Sequence, residues 1–432
     1  MGNVNASIIT IGDELLIGQT IDTNSAFIAQ ELNKIGVWVH RRVAVGDQYQ
    51  EIWNTLEQEG SLSDIVIITG GLGPTADDIT KPLLCEFFGG RLVVNEDVLT
   101  HVKMLFEKIY RRPGPILERN MKQAEVPDNC IVLHNARGTA PGMWFPAALR
   151  SGKNPGPQNK GTVYVSLPGV PHEMKGLITG EVIPRIQQEF DLPAIVHMTA
   201  FTAGQGESAI AERLKDFEPG LPAHIKLAYL PNYGMVKLRL TATGPKREVV
   251  EKEMLPYFEK LQELVNDFLV SNEDIGLEVV IGRILKARNM TMGTAESCTG
   301  GFIAHRVTSV PGSSAYFKGT VVSYANEVKE SMLGVHAETL QQFGAVSEET
   351  VREMVRGAIR KLDVDFALAT SGIMGPEGGS PEKPVGTVWI AAGNREKTET
   401  LQLHLRFDRE RNISMTASAA MNFLRKFILA QP

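Results

Sequence analysis

The sequence has few cysteines and no long apolar run. Its 432 residues include three cysteines, Cys85, Cys130 and Cys298, which are far apart and form no C-x-x-C pair. This pattern argues against a disulfide framework or a cysteine zinc site, and it favours a reducing, cytoplasmic environment. No apolar stretch reaches the roughly 18 residues of a membrane span, so we expect no membrane insertion.

Further absences narrow the possible functions. The formal net charge of −6 opposes bulk binding to nucleic acid or to anionic membranes, because both need a positive surface. The nine histidines show no spacing typical of metal ligands. The N-terminal residues lack the basic and long apolar segments of a signal peptide, and we therefore expect none.

What the sequence does contain is a repeated alternation of strand and helix patterns. Residues 6–11 and 65–69 are short apolar runs, and residues 23–35 have helical spacing that ends at Gly36. Apolar strands alternating with helices predict a parallel sheet covered on both faces. We assign this first domain to residues 1–181, with an exposed loop at residues 151–161, which are rich in glycine, proline, asparagine and lysine.

Two further regions follow. Residues 182–274 mix short strands and helices with several prolines and form a small α+β module, and residues 275–432 return to an α/β pattern. The fold class is therefore α/β, with two α/β domains of mainly parallel sheets joined by a small α+β module. The three regions carry net charges of −4, −4 and +2, so the last is the better candidate for an anionic small ligand.

A glycine-rich segment in the first domain predicts a ligand site. Residues 70–74 read Gly-Gly-Leu-Gly-Pro directly after an apolar strand, and Asp77 and Asp78 follow. Ligands of open α/β sheets bind at the carboxyl ends of strands, where glycines let the backbone approach a phosphate. The alternative is that the two aspartates open a helix and cap it. Acidic Glu14 follows the first strand, and carboxylates with backbone donors suit a metal-assisted phosphate or pyrophosphate reaction.

A second site is predicted in the last region. Ser297 and Cys298 lie between a strand and a helix predicted to begin at Gly300, and on local chemistry either could be a nucleophile. Capping of the helix by Ser297 or Thr299 is the alternative interpretation. Histidine is absent beside these segments and a G-x-S-x-G elbow is missing, so a Ser–His–Asp triad is disfavoured. A Ser–Lys pair is the arrangement that remains, because burial lowers the pKa of a lysine and lets it act as a base.

Several motifs resemble the CinA family of competence/damage-inducible proteins. They are TIGDELLIGQTIDTN at 10–24, TGGLGPTADDIT at 69–80, LPGVPHEM at 167–174, AESCTGG at 295–301, PGSSAYFKG at 311–319, YANEVK at 324–329, GPEGG at 375–379 and KPVGTV at 383–388. Together, and in this order, they cover nearly the whole chain.

The resemblance implies functions for both α/β domains. The N-terminal domain is similar to the molybdopterin-binding fold and is associated with ADP-ribose pyrophosphatase activity, which depends on a divalent metal ion (Mg, Mn or Co) and potassium. It implies that the metal is bound among Glu14, Asp77, Asp78 and Glu173, and that the nucleotide is bound by Asn24, Gly71, Gly73, Asn120 and Thr139.

The C-terminal domain resembles a nicotinamide mononucleotide amidase. The resemblance implies Ser297 as the nucleophile, Lys329 as the base and Tyr324 as an assisting group. Attack on the carboxamide would release ammonia, and water would then release nicotinate mononucleotide. The substrate-binding residues implied are Thr299 and Gly300 at the oxyanion, Ser371 in the pocket, and Arg409, with Arg411 next, at the phosphate.

The middle module resembles a KH-type fold. RNA-binding KH domains clamp the backbone with a G-x-x-G loop, whereas residues 204–207 here read G-x-G followed by an acid in an acidic module. We therefore interpret it as a connector or dimer-forming element, and expect small-molecule nucleotides rather than nucleic acid as partners. A homodimer is expected, because two-fold assemblies are the commonest. The alternatives are a molybdopterin-binding protein with a degenerate second domain and a non-enzymatic competence factor.

Overall fold

The structure, a computed structural model, describes residues 4–75, 78–109, 115–150 and 161–431. The predicted loop at 151–161 therefore lies almost entirely outside the described residues. The chain divides into two compact units, one of residues 1–196 with 243–251 and one of residues 197–242 with 252–432.

The N-terminal domain is a sheet covered by helices on both faces. Its strands are β1 (Val4–Ile11), β2 (Val37–Val45), β3 (Ile65–Thr69), β4 (Leu92–Val94), β5 (Glu125–Pro127), β6 (Ile131–Leu133), β7 (Gly142–Phe145) and β8 (Val163–Leu167). Its helices are α1 (Asp13–Leu16), α2 (Thr23–Lys34), α3 (Tyr49–Leu62), α4 (Thr80–Phe87), α5 (Glu96–Met104), α6 (Glu118–Met121), α7 (Pro171–Leu177) and α8 (Ile183–Glu189).

The main sheet has the order β2-β1-β3-β8-β7-β6. Strands β2, β1, β3 and β8 pair in parallel, whereas β7 pairs antiparallel with both β8 and β6. The prediction of a mainly parallel sheet is therefore confirmed for this domain. The apolar run of β3 is explained by its burial on both faces. Ile65 and Ile67 pack with α2 and α7, whereas Val66 and Ile68 pack with α3 and α4. The loops after β1, β3 and β8 consequently meet at one edge of the sheet.

The middle module is rich in strands. It contains β9 (Ala194–Ala203), α9 (Glu207–Leu214), β10 (Lys226–Asn232), β11 (Met235–Gly244), α10 (Arg247–Leu264) and β12 (Leu269–Ser271). The sheet order is β10-β11-β9-β12, and β10 and β11 form an antiparallel hairpin. Phe201, Ala203 and Met235 pack into the same core as the C-terminal domain.

The C-terminal domain has a five-stranded sheet. Its strands are β13 (Met292–Glu296), β14 (Phe317–Val322), β15 (Phe366–Gly372), β16 (Thr387–Gly393) and β17 (Thr398–His404). Its helices are α11 (Leu277–Ala287), α12 (Phe302–Thr308), α13 (Asn326–Leu333), α14 (Ala337–Phe343), α15 (Glu348–Leu362) and α16 (Arg409–Leu429).

This second sheet is mixed. Its order is β14-β13-β15-β16-β17, with parallel pairing among the first three strands and antiparallel pairing for β16 and β17. Helices connect the parallel strands, whereas a loop without a helix leads from β15 to β16, so β16 returns in the opposite direction. In the described part of the chain, no helix combines the length and apolar character of a membrane span.

Candidate active sites

A cleft of about 460 Å³ lies at the carboxyl ends of β1, β3 and β8 in the N-terminal domain. Most of the residues predicted for the nucleotide and metal site line this cleft. They are Glu14, Gly71, Gly73, Asp78, Thr139 and Glu173.

The glycine loop after β3 has a conformation that requires glycine. Gly70 and Gly71 have φ angles of 115° and 63°. A Cβ atom on Gly71 would also lie 2.1 Å from Thr80 Oγ1, so any larger residue is blocked by both the backbone and its neighbour. The glycines therefore let this loop pack closely against the neighbouring protein segments at the edge of the cleft.

Asp78 stabilises this loop and does not open a helix. Its Oδ1 accepts a hydrogen bond from the Gly73 N–H at 2.8 Å, and its Oδ2 accepts one from the Thr75 N–H at 2.9 Å. The next helix begins at Thr80, so the interpretation of Asp78 as a helix cap is wrong. Asp77 lies outside the described residues.

The remaining carboxylates face the cleft from other elements. Glu173 Oε2 accepts a hydrogen bond from Asn135 Nδ2 at 2.7 Å, and burial raises the pKa of Glu173. Among the described residues, no three or more histidine, cysteine, aspartate or glutamate side chains form a group able to hold a metal ion. Separate carboxylates on one cleft fit Mg²⁺-type ions, which are often held by one or two carboxylates together with substrate phosphates.

Asn24 and Asn120 do not line the main cleft. Asn24 lines a smaller neighbouring cavity of about 110 Å³, which it shares with Glu14, and its Nδ2 donates to the Gly169 carbonyl at 2.7 Å. Asn120 lies in α6 and lines neither cavity. Gln123, which the sequence did not single out, is buried and lines the main cleft instead.

Lys81 is a second residue that the sequence did not single out. Its Nζ donates to the Gln123 carbonyl at 3.1 Å, which ties the segment carrying Gln123 to α4. Burial is the main reason why the pKa of Lys81 is lowered to about 8.

In the C-terminal domain, Ser297 and Lys329 meet in a buried site. Lys329 Nζ lies 3.2 Å from Ser297 Oγ, and it also donates to the carbonyls of Ser323 at 2.8 Å and Tyr324 at 3.2 Å. The side chain of Lys329 is 1% exposed, and burial lowers its pKa. Its position and its lowered pKa consequently allow Lys329 to exchange a proton with Ser297.

Cys298 has a different environment from its neighbour. It belongs to the hydrophobic core of the domain, and burial raises the pKa of its thiol to about 12. The thiolate is the reactive form of cysteine, so this environment disfavours Cys298 as a nucleophile. Between the two candidates that the sequence left open, the geometry favours Ser297.

The residue before Ser297 anchors the turn that follows it. Glu296 is completely buried at the end of β13, and its carboxylate accepts hydrogen bonds from Thr299 Oγ1 and from the N–H groups of Gly301, Ile303 and Ala304. Sequence reasoning missed this residue, although an acid ending a buried strand is a visible signal.

Tyr324 and Arg409 are hydrogen-bonded at the exposed rim. Arg409 donates from Nη1 to the Gly375 carbonyl at 2.8 Å and from Nη2 to the Tyr324 hydroxyl at 3.1 Å. The guanidinium of Arg411 lies over the Phe407 ring, 4.0 Å from its centroid. Arg409 is therefore directed towards the loops beside Ser297, and Arg411 towards Phe407.

The other predicted substrate-binding groups are largely engaged within the protein. Thr299 Oγ1 lies 2.8 Å from both Glu296 Oε2 and Thr370 Oγ1, and Ser371 Oγ donates to the Ala345 carbonyl at 2.7 Å. The Gly300 N–H donates to the Ser297 carbonyl at 3.2 Å.

Comparisons with known proteins match three consecutive parts of the chain to three family models. Residues 7–188 match a family described as probable molybdopterin binding domain, residues 199–270 the damage-inducible protein CinA KH domain, and residues 274–428 the CinA C-terminal domain. A CinA-like protein of Flavobacterium psychrophilum is 46% identical over 99% of each chain, and one of Cytophaga hutchinsonii is 45% identical over 98% of each. The crystal structure of competence/damage inducible protein CihA from Agrobacterium tumefaciens is 39% identical, covering 35% of this chain and 92% of its own, with a TM-score of 0.34.

Proposed function

The chain belongs to the CinA family, and from this premise we propose that it is a bifunctional hydrolase of pyridine nucleotides. Its C-terminal domain deamidates nicotinamide mononucleotide to nicotinate mononucleotide and ammonia. Its N-terminal domain hydrolyses ADP-ribose to AMP and ribose 5-phosphate.

The arrangement around Lys329 supports the amidase most directly. A neutral lysine keeps two N–H bonds and one lone pair. The carbonyls of Ser323 and Tyr324 can only accept hydrogen bonds, so they take the two N–H groups. The lone pair is then left for the Ser297 hydroxyl, which makes Lys329 the general base.

The reaction follows from this assignment. Ser297 Oγ attacks the carboxamide carbon while its proton passes to Lys329, and the tetrahedral intermediate forms. Lys329 returns the proton to the leaving nitrogen, which departs as ammonia and leaves an acyl-serine ester. Water, deprotonated by Lys329, then cleaves the ester and regenerates the Ser297 hydroxyl.

Arg409 is the group that we assign to the phosphate. Its guanidinium carries a fixed positive charge and donors suited to phosphate oxygens. The bond to Tyr324 places this charge at the end of the segment that also supplies a carbonyl to Lys329. A mononucleotide would thus be held by its phosphate at the rim while its amide reaches the serine.

An ammonia-release assay with nicotinamide mononucleotide tests the amidase. We expect the wild-type protein to release ammonia, and Ser297→Ala to lower the rate by about 10³-fold or more, because it removes the nucleophile. Cys298→Ala should retain activity within about threefold, since the thiol is protonated and packed in the core. Retained activity in Ser297→Ala with loss in Cys298→Ala would reverse the assignment.

For the N-terminal domain, the supporting observation is the cleft that is lined by both the glycine loop and carboxylates. Glu14 and Glu173, with Asp78 ordering the loop, would hold a divalent ion that neutralises pyrophosphate charge. The backbone of the glycine loop binds phosphate oxygens, and Gln123 and Thr139 contact the rest of the nucleotide. Potassium is a further ion that we propose for this site.

Release of AMP from ADP-ribose tests this second activity. We expect Asp78→Asn to lower the rate by roughly tenfold or more, since the amide cannot accept hydrogen bonds at both of the loop N–H groups. Asp128→Asn is the matched control, because Asp128 also accepts a backbone N–H, that of Arg91, but lies outside the cleft. Unchanged turnover in Asp78→Asn would contradict the proposal. Co-purification of a pterin without nucleotide turnover would favour a molybdopterin-binding function instead.

We propose a connecting role for the middle module. It shares a core with the C-terminal domain through Phe201, Ala203 and Met235, and it is acidic. Both properties favour a structural connector over a nucleic-acid clamp. We further propose that the protein is a cytoplasmic homodimer, because two-fold assemblies are the commonest. Salt-sensitive binding to single strands at micromolar protein would oppose this interpretation.

A further inference from the structure

We propose that Glu296 is a positioning residue that decides which backbone N–H groups beside Ser297 are available to the substrate. This inference rests on the proposed amidase function and extends it. It concerns a side chain that does not touch the reacting atoms.

The carboxylate of Glu296 accepts five hydrogen bonds, four of them from the turn and helix that follow Ser297. Its Oε2 accepts from Thr299 Oγ1 at 2.8 Å and from the N–H groups of Gly301 and Ile303 at 3.0 Å each. Its Oε1 accepts from the Ala304 N–H at 2.8 Å and from Thr294 Oγ1 at 3.2 Å.

The environment of Glu296 makes these bonds costly to lose. The side chain is 0% exposed, and the groups that the described structure places at hydrogen-bond distance from its carboxylate are hydroxyls and backbone N–H groups, not cations. A buried carboxylate without a cation depends on the dipoles that surround it. The turn from Thr299 to Ala304 is therefore fixed around the carboxylate.

This arrangement changes how the helix after Ser297 can act. The N–H groups at the start of a helix are the usual donors to an anion, and Ser297 lies shortly before the start of α12. In the structure, three of these donors already bind Glu296. They are therefore unavailable to the negative oxygen of a tetrahedral intermediate.

The donors that remain lie one turn earlier. The Gly300 N–H is bound to the Ser297 carbonyl, and the Ser297 N–H to the Thr370 carbonyl. Within this described segment, the N–H groups of Cys298 and Thr299 donate to no other residue. An N–H from the residue after the nucleophile is a common oxyanion donor in serine hydrolases. We assign the oxyanion to these two groups.

Glu296 also connects the nucleophile to its base. Its own carbonyl accepts a hydrogen bond from the Ser323 N–H at 2.8 Å, and the Ser323 carbonyl accepts one from Lys329 Nζ. One residue thus holds the turn after Ser297 and the segment that orients Lys329. Displacement by about 1 Å at such a residue is enough to slow chemistry by about a hundredfold.

The test uses a fluorophosphonate, which reacts with activated serines whatever the natural substrate is. Ser297 Oγ forms the bond to phosphorus, the P–F bond breaks, fluoride leaves and Lys329 takes the proton. The labelling rate constant is measured on the full-length protein, and the labelled residue is identified by mass spectrometry. Because the rate constant is measured per folded molecule, a loss of folded protein lowers the amplitude and leaves the rate constant unchanged.

We expect Glu296→Gln to slow labelling by about 30-fold or more. The amide has a single oxygen, so it cannot accept both the hydrogen bonds now made to Oε2 and those now made to Oε1. The pH at which labelling is half-maximal should stay unchanged, since Lys329 keeps its own neighbours. Glu59→Gln is the matched control, because Glu59 is equally buried and accepts from Ser7 Oγ, but it lies in the N-terminal domain. It should lower the melting temperature and leave labelling of Ser297 within about twofold of wild type.

The outcomes separate this inference from the proposed function. If wild-type Ser297 is not labelled, the Ser–Lys nucleophile itself is wrong. If wild type is labelled and folded Glu296→Gln reacts at the same rate, the positioning role is overturned. If Glu296→Gln does not fold, Thr294→Val takes its place, because it removes only the longest of the hydrogen bonds to the Glu296 carboxylate, at 3.2 Å. A labelling rate of Thr294→Val equal to that of wild type would then overturn the proposal. A severalfold lower labelling rate would support it.

Discussion

The two candidate sites of this chain are built in opposite ways. In the C-terminal domain, Ser297, Lys329 and Glu296 are buried, and each is held by protein groups at hydrogen-bond distance. In the N-terminal domain, the cleft of about 460 Å³ is open, and its carboxylates come from separate elements without forming a cluster in the described residues.

The difference indicates what each site needs before it can react. The C-terminal site holds a nucleophile that folding has already oriented and paired with its base. Binding of the substrate is then enough for reaction, because the entropy of positioning these groups was lost during folding. Dispersed carboxylates around a glycine loop become a site when a phosphate and a metal ion bring them together. We therefore expect single substitutions to have larger effects in the C-terminal site than in the N-terminal cleft.

The largest effect that would sharpen this contrast is expected at Lys329. Lys329→Met should lower the rate of ammonia release by about 10²–10⁴-fold, because the general base is lost. Lys329→Arg keeps the positive charge but cannot become neutral, so it should be equally inactive.

The pH dependence of the wild type checks the same base. Only neutral Lys329 accepts the serine proton, so kcat/KM should rise with pH and level off once the lysine is deprotonated. Because burial lowers the pKa of Lys329, the midpoint of this rise should lie below the ordinary lysine value of 10.5. A rate that is independent of pH between 6 and 10 would show that lysine is not the base, as would an active Lys329→Arg variant.

A smaller effect is expected at Arg409. Arg409→Ala should raise KM for nicotinamide mononucleotide by about tenfold with a lesser change in kcat, because it removes a charge-assisted contact remote from the reacting amide. Arg411→Ala should have an effect of less than about threefold, since its guanidinium lies over Phe407. Steady-state kinetics of the two variants decide between them, and the reverse ranking would assign the phosphate to Arg411.

Much of this architecture was accessible from the sequence, because the informative signals are local. The apolar run of β3 predicted a strand buried on both faces, and the glycines after it predicted a loop at the edge of the sheet. The Ser297 and Lys329 motifs are separated by 32 residues, and the structure brings their side chains to 3.2 Å. Their pairing was suggested by chemistry and resemblance rather than by spacing.

The rest depended on long-range contacts that no local pattern reveals. The acidic pair at 77–78 suggested a helix start, but Asp78 instead binds the Gly73 and Thr75 N–H groups. The sequence placed the nucleophile beside a helix N-terminus, but it did not show that Glu296 already occupies the donors there. Strand β17 and helices α13 and α14 were also not predicted, since their sequences are more polar and partly exposed.

The most direct test of the contrast between the sites is a single experiment on the wild-type protein. Ammonia release from nicotinamide mononucleotide and AMP release from ADP-ribose are measured in parallel, with and without a chelator of divalent metals. The account predicts that the chelator abolishes AMP release, that added Mg²⁺ restores it, and that ammonia release is unchanged throughout. Loss of ammonia release in chelator, or AMP release that persists without metal, would contradict it.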